Sequence, residues 1–331
     1  MDEELQQFIS LVEGADVLVQ EQCRQRLAAS GTADATVSHV AERIAGITGT
    51  LQPEPLKKAV VLFAADHAVD GGKNESKGKN SKADALEIAG GKGAINKVAH
   101  RVNAGVLLLD LGLEEDIPES MGVQDLKVMH GSHYYGNGPA MTEDEMLDAF
   151  YSGIQIAQNL ADEGYTAIGL GNLGERALLT GFIVTAAFYR QKLAGLQGTL
   201  QERNQVKMLS AMLRTHGLDA AQPMELLQKA GSPDIAAMTG FILSAAQRRM
   251  LVVFDNGVTG AAVLLAHALQ EKVTDFVFPS AAYNEPVHQM QMTYLQMHPL
   301  LTGAGKDDQG MGSVLGLSLL DAAVQLMHDK L

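Results

Sequence analysis

Five short stretches of this chain are apolar almost without interruption: "AVVLFAAD" (59–66), "AGVLLLDLG" (104–112), "YTAIGLGN" (165–172), "RMLVVFDNG" (249–257) and "TDFVFPSAA" (274–282). A strand with one wet face alternates apolar and polar residues. A continuous run instead predicts a strand buried on both faces, as in a parallel sheet with helices on either side. Each run ends in or near Asp, Asn, Ser or Gly, the small polar residues of strand-to-loop turns. Helical periodicity fills the intervals. One helix opens in "AMTEDEMLDAFYSGIQIAQNLADEG", where Thr142 and Glu145 have capping-box spacing and Gly164 ends the pattern. Others are predicted over 177–194, 203–216, 235–247, 258–271 and 313–329. Strands alternating with helices predict an α/β fold, a doubly wound and mostly parallel sheet over 51–290. Residues 1–50 show helical patterns only, which predicts a small helical domain, joined by part of 290–331.

Composition narrows the class. With 331 residues and 46% hydrophobic content the chain can bury a large core. Its 39 acidic against 25 basic residues, a net of −14, argue against a nucleic-acid or anionic-membrane surface. The local basic run "KNESKGKNSK" (73–82) reads as a solvated loop. No apolar run is expected to approach the length needed to span a bilayer. Cys23 is the single cysteine, so no intrachain disulfide can form, and a reducing cytoplasm is expected. The opening "MDEELQQF" is acidic and lacks the apolar segment of a secretory signal.

Candidate chemistry follows from the strand ends. Ligands of open α/β sheets bind beyond the C-terminal ends of the strands. That places Asp66-His67, Asp110, Gly171-Asn172, Asp255-Asn256 and Ser280 through Glu285 on one rim. Any one of them alone is an ordinary turn or cap; five together predict a cleft. Near the C-terminus, Gly310-Met311-Gly312 opens onto an apolar helix, the arrangement of an anion site. Gln309 stands directly before it, and an amide cannot take a proton there. Other patterns carry less. "AGGKGAIN" (89–96) lacks the earlier glycine and the Ser or Thr of a phosphate loop and reads as a helix start. "EPVH" (285–288) sets a carboxylate and an imidazole three apart, but Pro286 is expected to spoil a helix there, and no second pair completes a metal site. His133, His298 and His328 read as structural, Cys23 as a core thiol, and the 15 methionines as adaptable core.

In order along the chain, "VVLFAADHAV", "GAIN", "LLLDLGL", "GNGPAMTEDE", "AFYSGI", "DIAAMTG" and "VVFDNGVTGAA" resemble the nicotinate-nucleotide:dimethylbenzimidazole phosphoribosyltransferases of cobalamin biosynthesis, over roughly residues 20 to 329. The resemblance implies a Rossmann-like core, a helical domain built from both termini, and a dimer with active sites near its interface. It also implies transfer of ribose phosphate from nicotinate mononucleotide to an aromatic lower-ligand base, giving an α-riboside phosphate and nicotinate, with neither cofactor nor metal. Displacement at the anomeric carbon needs a held phosphate, a positioned nucleophile and a base to take its proton. In the family that base is the Glu of "RLGEGTGA"; the corresponding "KDDQGMGS" puts Gln309 in its place.

Further departures accompany that one. "GEMGIGNTT" becomes "GNLGERALL" (171–179), so Asn172 replaces a Glu and Ala177-Leu178-Leu179 a polar triplet. "KPxGSLG" becomes "AASGTAD" (28–34), "GxGTG" becomes "GLQGT" (195–199), and "GGxEIAAM" becomes "GSPDIAAM" (231–238). "SHxSAExGH" becomes "SAAYNEPVH" (280–288), keeping Ser280, Glu285 and His288. The resemblance assigns substrate contacts to Asp66, His67, Asn172, Gly174, Lys207, Asp255, Ser280, Glu285, Gly310 and Gly312. Retained scaffold with altered loops resembles the base-less subunit of heterodimeric, phenol-activating members, which implies a paralogous partner, or otherwise a homodimer. Two alternatives remain open: an independent enzyme using Asp307 or Asp308 as base, and a non-catalytic nucleotide-binding module.

Overall fold

Six strands form a single sheet in the order β3-β2-β1-β4-β5-β6, every neighbouring pair parallel. They are β1 (Lys58–Ala65), β2 (Ala104–Gly112), β3 (Gln124–Asp125), β4 (Ala167–Leu173), β5 (Leu251–Phe254) and β6 (Val277–Pro279). The computed structural model describes residues 3–31, 35–68, 81–118, 121–134, 137–189, 216–302 and 309–330. The five apolar runs are the five longest strands. β1 and β4 lie at the centre and are buried along their whole lengths, as uninterrupted apolar runs require. β3 was not predictable from pattern, being two exposed residues, Gln124 and Asp125.

The helices are α1 (Glu3–Ser10), α2 (Val17–Ala29), α3 (Ala35–Thr48), α4 (Ser81–Ala89), α5 (Ala94–Arg101), α6 (Glu143–Asp162), α7 (Ala177–Phe188), α8 (Pro223–Ala230), α9 (Pro233–Gln247), α10 (Gly257–Leu269), α11 (Pro286–Leu295) and α12 (Met311–Lys330). The capping box at α6 forms as its spacing predicts: Thr142 Oγ1 accepts from the Glu145 N–H, and the Glu145 carboxylate accepts from the Thr142 N–H at 2.7 Å. α7 is described as far as Phe188. The helix expected over 203–216, with Lys207, falls outside the described residues, as do Asp307 and Asp308. Pro286 does not spoil a helix: it is the first residue of α11, where its missing N–H costs no bond.

The N-terminal helices are tied to the far side of the sheet. α2 packs on α3 and α3 on α12. The Arg43 guanidinium donates to the carbonyls of Thr274, Asp275 and Val277 and lies over the Phe278 ring at 3.9 Å. Burial pulls that guanidinium down to about 10. Cys23 is buried between helices, and the same desolvation, with Glu42 nearby, pushes its thiol up to about 11, so it packs as a small apolar group. α12 corrects one expectation from the sequence. It is long and apolar enough to cross a membrane, the one such helix among the described residues, but half of it is buried in the fold, against α3 and β4.

Candidate active site

The strand order reverses between β1 and β4, the kind of switch point beyond which open α/β sheets bind ligands at the C-terminal edge. Asp66 and His67 follow β1, Asn172 and Gly174 stand at the end of β4, Asp255 follows β5 and Ser280 follows β6. The N-terminus of α12 comes back over this edge. Gly310 Cα lies 2.9 Å from where a Cβ on Gly171 would stand, so glycine at 171 lets loop and strand touch.

On the β1 side the polar groups hold the protein together. Asp66 is buried and accepts from three directions: Ser81 Oγ at 2.6 Å, the Glu114 N–H at 2.9 Å and the Glu175 N–H at 3.0 Å. One carboxylate thereby knots the loops beyond β1, β2 and β4. His67 is fully buried, with Nδ1 2.8 Å from Thr180 Oγ1 and Nε2 3.3 Å from Asp234 Oδ2, and its carbonyl accepts from Arg176 Nε. At Gly174 (φ +155°) a Cβ would overlap the Ala65 carbonyl at 1.6 Å, so the turn after β4 closes onto the end of β1 only with glycine. Asp110, near the C-terminal end of β2, accepts from the N–H groups of Gly112 and Leu113 and pairs with Lys127 at 3.3 Å. Burial nevertheless outweighs those bonds and holds its carboxyl above the usual range.

On the other side lies a network of side chains. Asp255, fully buried, accepts from Ser280 Oγ and Tyr283 Oη, each at 2.6 Å. Gly312 backs onto that trio: a Cβ there would stand 2.0 Å from Asp255 Oδ1. Asn256 caps α10 by accepting from the N–H groups of Val258 and Thr259, and its Nδ2 donates to Asn172 Oδ1 at 2.7 Å. His288, in the first turn of α11, is buried with its ring edge-on to Tyr283 at 5.3 Å, and burial holds its imidazole below the usual range. Glu285 is the N-cap residue of the same helix. Between the two sides sits Gln309, whose Nε2 donates to Asp84 Oδ2 on α4 at 3.2 Å. Among the described residues no cluster of metal-ligating side chains occurs.

The site residues inferred from the sequence, Lys207 apart, thus come to one edge around α12. Sequence reasoning missed Asp84, Asp234, Thr180 and Arg176. Nothing in "KADALEIA" distinguishes Asp84 from any surface acid of a helix. Asp234 and Thr180 become visible only as partners of His67.

Comparison with known proteins settles the lineage. A family model described as phosphoribosyltransferase matches residues 13–330. The chain belongs to the phosphoribosyltransferase family. Among its relatives, the nicotinate-nucleotide–dimethylbenzimidazole phosphoribosyltransferase of Geobacter metallireducens is 28% identical across 87% of this chain and 84% of its own. The enzyme of that name from Prosthecochloris aestuarii is 27% identical over 99% of this chain and 96% of its own. The crystal structure of the Thermus thermophilus enzyme superposes with a TM-score of 0.84 at 28% identity, covering 95% and 96% of the two chains. The C-terminal edge of the sheet in this phosphoribosyltransferase is therefore the place to look for its chemistry, and two neutral amides, Gln309 and Asn172, stand there.

Proposed function

We propose that this chain is the base-deficient subunit of a phosphoribosyltransferase that activates a cobamide lower ligand. The reaction moves ribose phosphate from nicotinate mononucleotide to a phenolic or benzimidazole base and releases nicotinate and an α-riboside phosphate. The single observation behind this reading is Gln309. An amide stands where the chemistry calls for a proton acceptor, and it is already donating to Asp84. Loss of general-base help costs about 10²–10⁴-fold in rate. Asn172, likewise neutral, is engaged with Asn256. The partner in this reading is a paralogous chain that keeps a glutamate at the position of Gln309, in a cytoplasmic heterodimer. Asp66, Gly174, Asp255, Ser280, Glu285, Gly310 and Gly312 then shape the nucleotide and base pockets from this side.

The test is co-expression with such a paralogue, followed by a steady-state assay of α-riboside phosphate. The heterodimer should turn over, and the activity should vanish when the paralogue's glutamate is changed to glutamine. The isolated chain should be nearly silent. A rate of about 1 s⁻¹ or more from it alone, an ordinary enzyme rate, would overturn the reading and favour a base elsewhere in this chain. Tight nucleotide binding with neither turnover nor partner would favour a binding module instead.

A further inference from the structure

Gln309 has little room to move. Its φ is +49°, left-handed for a residue with a side chain, and its carbonyl oxygen stands 2.6 Å from the Cβ position of Gly171 on β4. The side chain is held at its far end by Asp84, in the first turn of α4. α4 is itself anchored, since Ser81 Oγ donates to Asp66 Oδ1 and the helix packs on α5, β2 and β4. Amide and carboxylate therefore meet with both backbones fixed. A hydrogen bond to a charged acceptor is worth more than a neutral one, and it exists only while position 309 offers an N–H.

We propose that Asp84 dictates the charge that position 309 can carry, so that the neutral amide is enforced from α4. The proposal rests on the reading of 309 as the position of the missing base. Glutamate is nearly the shape of glutamine, but it would turn an oxygen toward Asp84 Oδ2 at about the 3.2 Å of the present contact. Two carboxylates so close cannot both be ionised. Either they would share a proton, which spoils a base, or the loop would leave β4. Asp84 is thus a positioning residue, acting through Gln309. Recovery of a base would require both positions to change.

A double-mutant cycle in the full-length chain tests this, by thermal unfolding at pH 7.5 of wild type, Gln309→Glu, Asp84→Asn and the double variant, with Gln309→Met as an uncharged control. Gln309→Glu should lower Tm by about 3 °C or more, and Gln309→Met by less. Adding Asp84→Asn to Gln309→Glu should recover most of the loss, because the carboxylate would then accept from an amide. The proposal is overturned if Gln309→Glu is as stable as wild type, or if the double variant is no more stable than Gln309→Glu. Should Gln309→Glu fail to fold, a folded double variant counts as rescue, and failure of both overturns the proposal. No arm requires turnover, so this result and the partner-subunit assay can fail separately.

Discussion

The loops beyond β1 and β2 and those beyond β4, β5 and β6 begin alike, with a small polar residue ending an apolar strand, yet they do different work. On the first side, carboxylates bind backbone: Asp66 accepts from two N–H groups and a hydroxyl, and Asp110 from two N–H groups and Lys127. On the second, the buried carboxylate binds side chains, Asp255 with Ser280 and Tyr283, and Asn256, besides capping α10, reaches Asn172. A loop knotted through its main chain can scarcely change without unfolding the edge. A network of side chains under a glycine loop can trade residues one at a time. On the proposed reading, in which Asn172 and Gln309 stand where relatives carry carboxylates, the difference accounts for a kept scaffold beside exchanged residues.

The strongest challenge to that contrast is Asp66→Ala. It strands two N–H groups and a buried hydroxyl, each costing about 1–3 kcal/mol, so a loss on the order of 3–5 kcal/mol is expected in chemical denaturation. Asn172→Ala strands one amide at the C-terminal edge of the sheet and should cost about 1 kcal/mol. If the two variants proved equally unstable, the division into knotted and exchangeable sides would be wrong.

Much of this was legible in the sequence. Continuous apolar runs announced the strands, because burial on both faces leaves no polar register, and the polar residues at their ends marked the rim. What each rim residue does was not legible. Asp66 and Asp255 look alike in sequence, since the N–H groups and hydroxyls that separate them come from residues 15 to 109 and 25 to 28 positions away. Gln309 stood out because the motif around it leads one to expect a carboxylate. Asp84 did not, because its meaning is a contact across 225 positions.

A smaller effect sharpens the picture on the β5 side. In a helix, Gly→Ala ordinarily stabilises by about 0.5–1 kcal/mol. Gly312→Ala, in the first turn of α12, should do the reverse, since its Cβ would stand 2.0 Å from Asp255 Oδ1 and 2.5 Å from Tyr283 Oη. Overpacking of this kind costs about 1–3 kcal/mol. A variant more stable than wild type in urea would mean that α12 is not seated on the Asp255 trio.

The smallest effect concerns His288, which is buried against Tyr283 and ties α11 to the same trio. Burial lowers its proton affinity in the folded chain, opposed in part by a backbone contact to Ala281. For a group whose folded value is depressed, the unfolded chain binds the proton first as pH falls. Stability is therefore full above the unfolded value, about 6.5, and declines below it toward the folded one. Replacing His288 with Phe keeps an aromatic edge against Tyr283 and removes the titration. Between pH 7 and pH 5 the Tm of wild type should then fall about 2 °C further than that of His288→Phe. Parallel falls would show that the imidazole is not buried neutral, and that the β5 and β6 side holds a solvated histidine where the structure places a packed one.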